Sequence, residues 1–355
     1  MKRKLKCWIV ELRAPFLTAT LVSIFLGTAI AWARNNMFNS EYFLLTLLGG
    51  VFLHLGTNVA NDYYDHKSGD DEVNKEFVRP FSGGSRMIQL GLLTPREVLF
   101  GALLLYALAS LIGLFLIWTR GLFVLVLGLI GLFSGFFYTG PLLNWASRGI
   151  GEALVGINFG ALMTLGAYYV QTQRLAVEPL VASIPISLLI ASVLYINEFP
   201  DYYADKNVGK NTLVVRLGRE KAALIYLLMM LSAYVIISLN VLSGITPIQT
   251  LLALTTLPLA IKAVQHTRKF HSDAFYLVPS NALTTTCHFS TSLMLSLGYL
   301  LNGLEAMSLG YILIASITGI CIASTFFVYL KIAKRQRLFE RQKASSNKRE
   351  ALYEL

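Results

Sequence analysis

Apolar residues along this chain fall into long, unbroken blocks. Ten can be read, at roughly 15–33, 41–60, 97–118, 121–139, 151–170, 179–199, 221–242, 246–264, 277–302 and 307–330. About 20 residues of helix cross the ~30 Å hydrocarbon core of a bilayer. Each block is continuously apolar and lacks the period-two alternation of a barrel strand. The pattern predicts an all-α polytopic membrane bundle occupying residues 1–331, followed by a tail at 332–355.

Composition supports that reading. Only 14% of residues are charged and 55% are hydrophobic, against roughly 25% charged in soluble domains. The net charge of +10 would suit a nucleic-acid binder, but its distribution points elsewhere. With the N-terminus cytoplasmic and each block crossing once, 27 of the 30 Lys and Arg lie on the cytoplasmic side. The opposite face receives only Arg34, Arg120 and Arg174. Such a split obeys the positive-inside rule and predicts a multi-pass protein of the inner or plasma membrane.

Two other features change little. Met1–Lys6 and the apolar run ending at Ala29-Ile30-Ala31 have the layout of a signal peptide. The run is too long for one, however, and its removal would invert every later span. It is read as the first span. Cys7, Cys287 and Cys321 are scattered, without disulfide or zinc spacing. The basic tail reads as a stop-transfer flank, with binding to anionic headgroups as the alternative.

The candidate chemistry lies after the second and sixth blocks. The first segment reads Asn58-Val-Ala-Asn61-Asp62-Tyr63-Tyr64-Asp65-His66-Lys67, and the second Asn197-Glu198-Phe199-Pro200-Asp201-Tyr202-Tyr203-Ala204-Asp205. At an offset of 136 residues, Asn61 meets Asn197, Asp62 meets Glu198 and Asp65 meets Asp201. An even number of crossings separates the copies, so both face the same way, as in a parallel internal repeat. Residues four apart share a helix face. Asn197, Asp201 and Asp205 therefore form one row, and Asn61 with Asp65 the other, with Asp62 adjacent. Stacked carboxylates repel unless a cation joins them. Mg²⁺ is held by one or two carboxylates while substrate phosphates complete its shell. Asp62, Asp65, Asp201 and Asp205 are the candidate metal ligands. Lys67, Arg79, Arg86 and Lys210 lie in the same segments and are candidates to contact a diphosphate.

These residues resemble the UbiA superfamily of intramembrane prenyltransferases. The resemblance rests on Asn61-Asp62-x-x-Asp65, on Asn197-x-x-x-Asp201-x-x-x-Asp205 and on Gly209-Lys210-x-Thr212-Leu213. The stretches Tyr138-Thr-Gly-Pro141, Arg148-Gly-Ile-Gly-Glu152, Asn158-Phe-Gly and Phe81-Ser-Gly-Gly-Ser-Arg86 are similar to the dihydroxynaphthoate branch. The likeness covers about residues 10–302 and implies nine core transmembrane helices, which makes 307–330 an extra span. Two further departures stand out. Leu142-Leu143-Asn144-Trp145 occupies a turn where relatives carry a Lys, and Gly69 replaces a third Asp, with Asp70 and Asp71 beside it.

The resemblance implies Mg²⁺-dependent transfer of a polyprenyl group from its diphosphate to an aromatic acceptor, 1,4-dihydroxy-2-naphthoate in this branch. Alternatives are another acceptor such as 4-hydroxybenzoate or, from a different class, a secondary transporter. Acids at helix ends rather than at the bilayer midplane favour the enzyme. Metal and cationic clamps would stabilise the leaving diphosphate, and a lipid-embedded bundle would shield the allylic cation from water. Tyr138 and Asn58 are candidates to face that cation or the acceptor. His54 is the visible candidate for the departing proton, against the plainer reading of a hydrogen-bonded core histidine.

Overall fold

A computed structural model describes residues 2–306. The predicted span at 307–330, the tail at 332–355 and Cys321 lie outside the described residues. Those described are predominantly helical, with no strand among them. In chain order the helices are α1 (Lys2–Glu11), α2 (Thr18–Asn35), α3 (Ser40–Ser68), α4 (Asp70–Val73), α5 (Pro95–Arg120), α6 (Leu122–Phe136), α7 (Gly151–Gly156), α8 (Met163–Thr172), α9 (Val177–Asn207), α10 (Leu213–Leu217), α11 (Arg219–Leu242), α12 (Leu257–Phe270) and α13 (Val278–Ala306). A π-helical turn at Ile157–Leu162 joins α7 to α8, and a 3₁₀ segment at Ile248–Thr256 leads into α12.

Seven of these units are long and apolar enough to cross a membrane: Ala14–Asn35, Ser40–Ser68, Pro95–Arg120, Gly151–Thr172, Val177–Asn207, Arg219–Leu242 and Ile248–Phe270. The chain is an integral, multi-pass membrane protein. The predicted block at 121–139 becomes the 15-residue α6, which at 1.5 Å per residue is shorter than the hydrocarbon core. The block at 277–302 becomes α13, long enough at 29 residues but rich in Ser, Thr, Asn and His.

Burial follows the logic of a lipid solvent. Phe100, Leu111, Leu114, Trp118 and Leu122 stand exposed on α5 and α6. The polar side of α13 is turned inward, with Asn281, Thr284, His288, Thr291 and Ser296 all buried. In hydrocarbon a hydroxyl needs a protein partner. Tyr234 accordingly meets Thr256 at 2.9 Å and Thr291 at 3.1 Å.

Two helices outrun their predicted blocks. The block at 41–60 ends as α3 at Ser68, and the block at 179–199 ends as α9 at Asn207. The extension of α3 carries Asn61, Asp62 and Asp65, and that of α9 carries Asp201 and Asp205, so both motifs are helical. Asn39 caps the start of α3, its side chain accepting from the Tyr42 amide at 2.9 Å. Gly69 stops the same helix at φ +81, a left-handed conformation that glycine adopts freely, and α4 begins at the next residue.

Candidate active site

The end of α9 shows how local sequence builds the second motif. Pro200 has no amide hydrogen, so the Ile196 carbonyl one turn earlier loses its helical partner. Asn281 of α13 takes that place. Its Nδ2 donates to Ile196 O at 3.2 Å and to Asn197 Oδ1 at 2.7 Å. The motif asparagine is thereby fixed by a residue 84 positions away. The remaining turns of α9 carry Asp201 and Asp205 toward α3.

Lys210, just beyond α9, closes the site. Its ammonium lies 2.8 Å from Asp70, 3.4 Å from Asp205 and 3.7 Å from Asp65. One cation thus joins carboxylates from both copies of the repeat. Burial alone would push the Lys210 ammonium down, but Asp205, Asp65 and Asp70 outweigh it and hold it well above the usual lysine range. Asn61 donates to Asp65 at 2.8 Å, and Asn74 donates to Asp201 at 2.7 Å. Burial, with Asp65 and Asp62 nearby, pushes Asp71 up to about 8. At neutral pH, therefore, Asp71 does not carry its full formal charge.

These groups form the polar end of a cavity of about 540 Å³, within the usual range for a ligand site. Asn58, Asn61, Asp65, Tyr138, Asn197, Asp201, Asp205 and Lys210 all line it, together with His54. The other end is apolar, walled by Leu53, Ile112, Leu116, Val124, Leu132 and Met163. Burial, then Glu198 and Glu152, hold the Tyr138 hydroxyl well above its ordinary range, so it is a neutral donor. His54 is both cavity wall and hydrogen-bonded core residue, its Nδ1 2.8 Å from the Thr20 hydroxyl.

Four of the residues expected at the site stand away from this cavity. Asp62 turns aside to accept from the Ser85 amide at 2.8 Å and from Arg13 at 3.4 Å. Gly84 permits this closeness, because at φ +65 a Cβ would sit 3.0 Å from Asp62 Oδ1. Lys67 is exposed, its ammonium 5.8 Å from the Tyr63 ring centre. Arg79 is also exposed and donates to Ser85 O at 3.3 Å. Arg86 braces the segment after α4, donating to the carbonyls of Asp71 and of Asn74 (3.2 Å for the latter). Of the four candidate cations, only Lys210 reaches the cavity.

Other residues enter that the sequence reading had left aside. Asp70 and Asp71 are buried on α4 and face the cavity, as Gly69 turns the chain back on itself. Arg13, counted only as a topology charge, reaches Asn61 at 3.3 Å. Glu198 lines the cavity; its alignment with Asp62 was the available signal. Asn74 lies outside the repeat and gave none.

The donor set suits a metal completed by substrate. Among the described residues no three carboxylates, imidazoles or thiols converge as a ready-made metal cage. Yet Asp70 Oδ1 is buried without a hydrogen bond, and Asp205 Oδ1 has only its ion pair with Lys210. Buried carboxylate oxygens with spare capacity, in facing pairs, fit an ion that keeps several non-protein ligands.

Comparison with known proteins gives this geometry its context. Residues 20–281 match the UbiA prenyltransferase family. The chain belongs to that family. It is 35% identical over 228 residues to the 1,4-dihydroxy-2-naphthoate octaprenyltransferase of Haemophilus influenzae, covering 62% of this chain and 72% of that one. It is 28% identical over 296 residues to the 2-carboxy-1,4-naphthoquinone phytyltransferase of Synechocystis, covering 83% and 93%. Among solved structures, a UbiA homologue from Archaeoglobus fulgidus bound to GPP and Mg²⁺ shares the fold. Its TM-score is 0.52 at 16% identity, over 82% of this chain and 99% of that chain. UbiA prenyltransferases thus provide the frame for the two acidic motifs, α3 and α9.

Proposed function

We propose that the protein transfers a polyprenyl group from its diphosphate to 1,4-dihydroxy-2-naphthoate, giving a menaquinone precursor, and that it does so with Mg²⁺. One observation carries the reading: both acidic motifs meet around Lys210 at the polar end of an otherwise apolar cavity. The acceptor follows from the relatives, two of which are named for naphthoate or naphthoquinone substrates.

Asp65 and Asp70 from one side, with Asp201 and Asp205 from the other, would hold the ion. When bound, Mg²⁺ neutralises charge that builds on the departing diphosphate. Lys210 contributes a fixed positive charge to the same oxygens. The apolar walls take the prenyl chain and exclude water. The bond between prenyl C1 and its diphosphate oxygen breaks, with both electrons leaving on the diphosphate. An electron-rich ring carbon of the acceptor bonds to C1, and the ring then loses a proton. Tyr138, at the polar end, offers an aromatic face to the allylic cation.

The acceptor assignment is tested by competition. Purified protein given equal amounts of 1,4-dihydroxy-2-naphthoate and 4-hydroxybenzoate, with one prenyl diphosphate, is expected to favour the naphthoate by about tenfold or more. Dominance of prenylated benzoate would remove the naphthoate and leave the prenyl transfer.

The charge asymmetry supports a site open to the cytoplasm. Ser68 is exposed at the end of α3, and Leu175 is exposed in the turn between α8 and α9. In intact cells an impermeant thiol reagent should label Ser68→Cys slowly and Leu175→Cys quickly. The reverse order would invert the topology.

A further inference from the structure

Among the described residues Lys210 and Arg13 are the lysine and arginine that line the cavity, and the scheme above uses only the first. Lys210 is committed to Asp65, Asp70 and Asp205. Arg13 sits at φ +50 between α1 and the turn Ala14–Leu17, with its side chain 19% exposed. It is loosely held. Its Nη1 donates to Asn61 Oδ1 at 3.3 Å and to Asp62 Oδ1 at 3.4 Å, both longer than the usual range of such bonds. Asp62 already has the Ser85 amide at 2.8 Å. Arg13 Nε is buried without a partner, and Nη2 donates to no described residue. A guanidinium carries five N–H donors in a planar fork, so the Nε–Nη2 edge is unused.

We infer that Arg13 binds the acceptor through its carboxylate and so selects arenes that carry one. The inference rests on the prenyltransferase reading given above.

Depth and surroundings favour this anion over the diphosphate. Asn61 lies one turn of α3, about 5.4 Å, nearer the bilayer centre than Asp65. The guanidinium bonded to it is set back by that turn from the carboxylates proposed to hold the metal, at the depth where prenyl C1 projects into the cavity. The attacking ring must lie at the same depth. Aromatic side chains wait there. The Arg13 guanidinium is 5.1 Å from the Phe16 ring centre. Thr20, four residues on from Phe16, meets His54 at 2.8 Å, and the His54 and Phe159 ring centres are 4.4 Å apart. Phe16, His54 and Phe159 all line the cavity and offer flat faces to a fused ring. A carboxylate at the ring's edge matches the open side of the guanidinium fork in bidentate fashion. Asp62 does not turn such an anion away. Its neighbour Glu11, pushed up to about 8, is mostly neutral at pH 7, so Arg13 balances Asp62 and the group carries no net negative charge.

The deciding measurement is a ratio. The kcat/KM for 1,4-dihydroxy-2-naphthoate is divided by that for 1,4-dihydroxynaphthalene, the same ring system without the carboxylate, with one prenyl diphosphate and saturating Mg²⁺. The wild type should favour the naphthoate by about tenfold or more, the usual scale for a hydrogen bond to a charged group. In Arg13→Gln the two arenes should come within about twofold of each other. Disturbance of Asn61 or of the metal site slows both arenes alike and cancels, so a merely structural role leaves the ratio where it was. Arg13→Lys keeps the charge and loses the fork, and its ratio should fall between the other two. Turnover of 1,4-dihydroxynaphthalene shows that a variant is folded; if the Gln variant is not, the Lys variant decides. A ratio equal to that of the wild type overturns the assignment, and so does a wild type indifferent to the carboxylate. An unchanged ratio with a raised KM for prenyl diphosphate would overturn it too, by placing the guanidinium on the diphosphate. If the wild type prenylates no hydroxylated arene at all, the functional reading itself falls, and the role of Arg13 with it.

Discussion

Asp65→Ala and Asp201→Ala are each expected to lower turnover by about 10²–10³-fold, the usual scale for removing one preorganised electrostatic group. Removing divalent metal with EDTA should do the same to the wild type. The two residues belong to different helices and occupy matched positions in the repeat, so neither copy can stand in for the other. Each is already held in place: Asn61 donates to Asp65 and Asn74 donates to Asp201. The loss therefore reports on the carboxylate and not on a rearranged helix. Insertion and monodispersity of the purified variants should match those of the wild type. Full turnover in EDTA, or in either variant, would remove the metal-diphosphate reading.

Lys210→Met should show two effects that part company when Mg²⁺ is added. Without metal, three carboxylates within 3.7 Å of the ammonium lose their shared counter-charge. Deleting one partner of a buried ion pair costs about 3–5 kcal/mol, so the metal-free variant should melt well below the wild type. Adding Mg²⁺ should recover more of that stability in the variant than it adds to the wild type, because the ion then supplies charge that Lys210 no longer does. Turnover should stay depressed by about 10²-fold even with saturating Mg²⁺, since the ammonium is also lost from the diphosphate. Equal melting temperatures with and without metal would show that Lys210 is incidental to the site.

The sequence was most informative where structure is local. The rows on α3 and α9 follow from four-residue spacing, and they fall where that spacing puts them. The same arithmetic separates Lys67 from the site: it lies two residues beyond Asp65, close to the opposite side of the helix. That a cation serves the carboxylates was legible, but the choice among Lys67, Arg79, Arg86 and Lys210 was not. It depends on how the segment after α9 lies against α4. The pairing of Asn281 with the carbonyl freed by Pro200 spans 85 positions and has no local signature. Gly69 read as a departure from the family pattern. Its left-handed turn explains how Asp70 and Asp71 still enter the site.

The amino-terminal segment reaches the chemistry without holding a motif residue. Glu11 is fully buried and accepts from the Ser85 hydroxyl, and burial next to Asp62 pushes its carboxyl up to about 8. Two residues later Arg13 grips Asn61 and Asp62. Helix α1 therefore works as a wedge beneath the glycine-containing loop at 82–86. Trimming the chain back to its first span would leave every motif aspartate in place, yet Ser85, Asn61 and Asp62 would all lose partners. A bulky fusion that pried α1 loose would have the same result, so an inactive preparation tagged at this end would say nothing about the acidic motifs themselves.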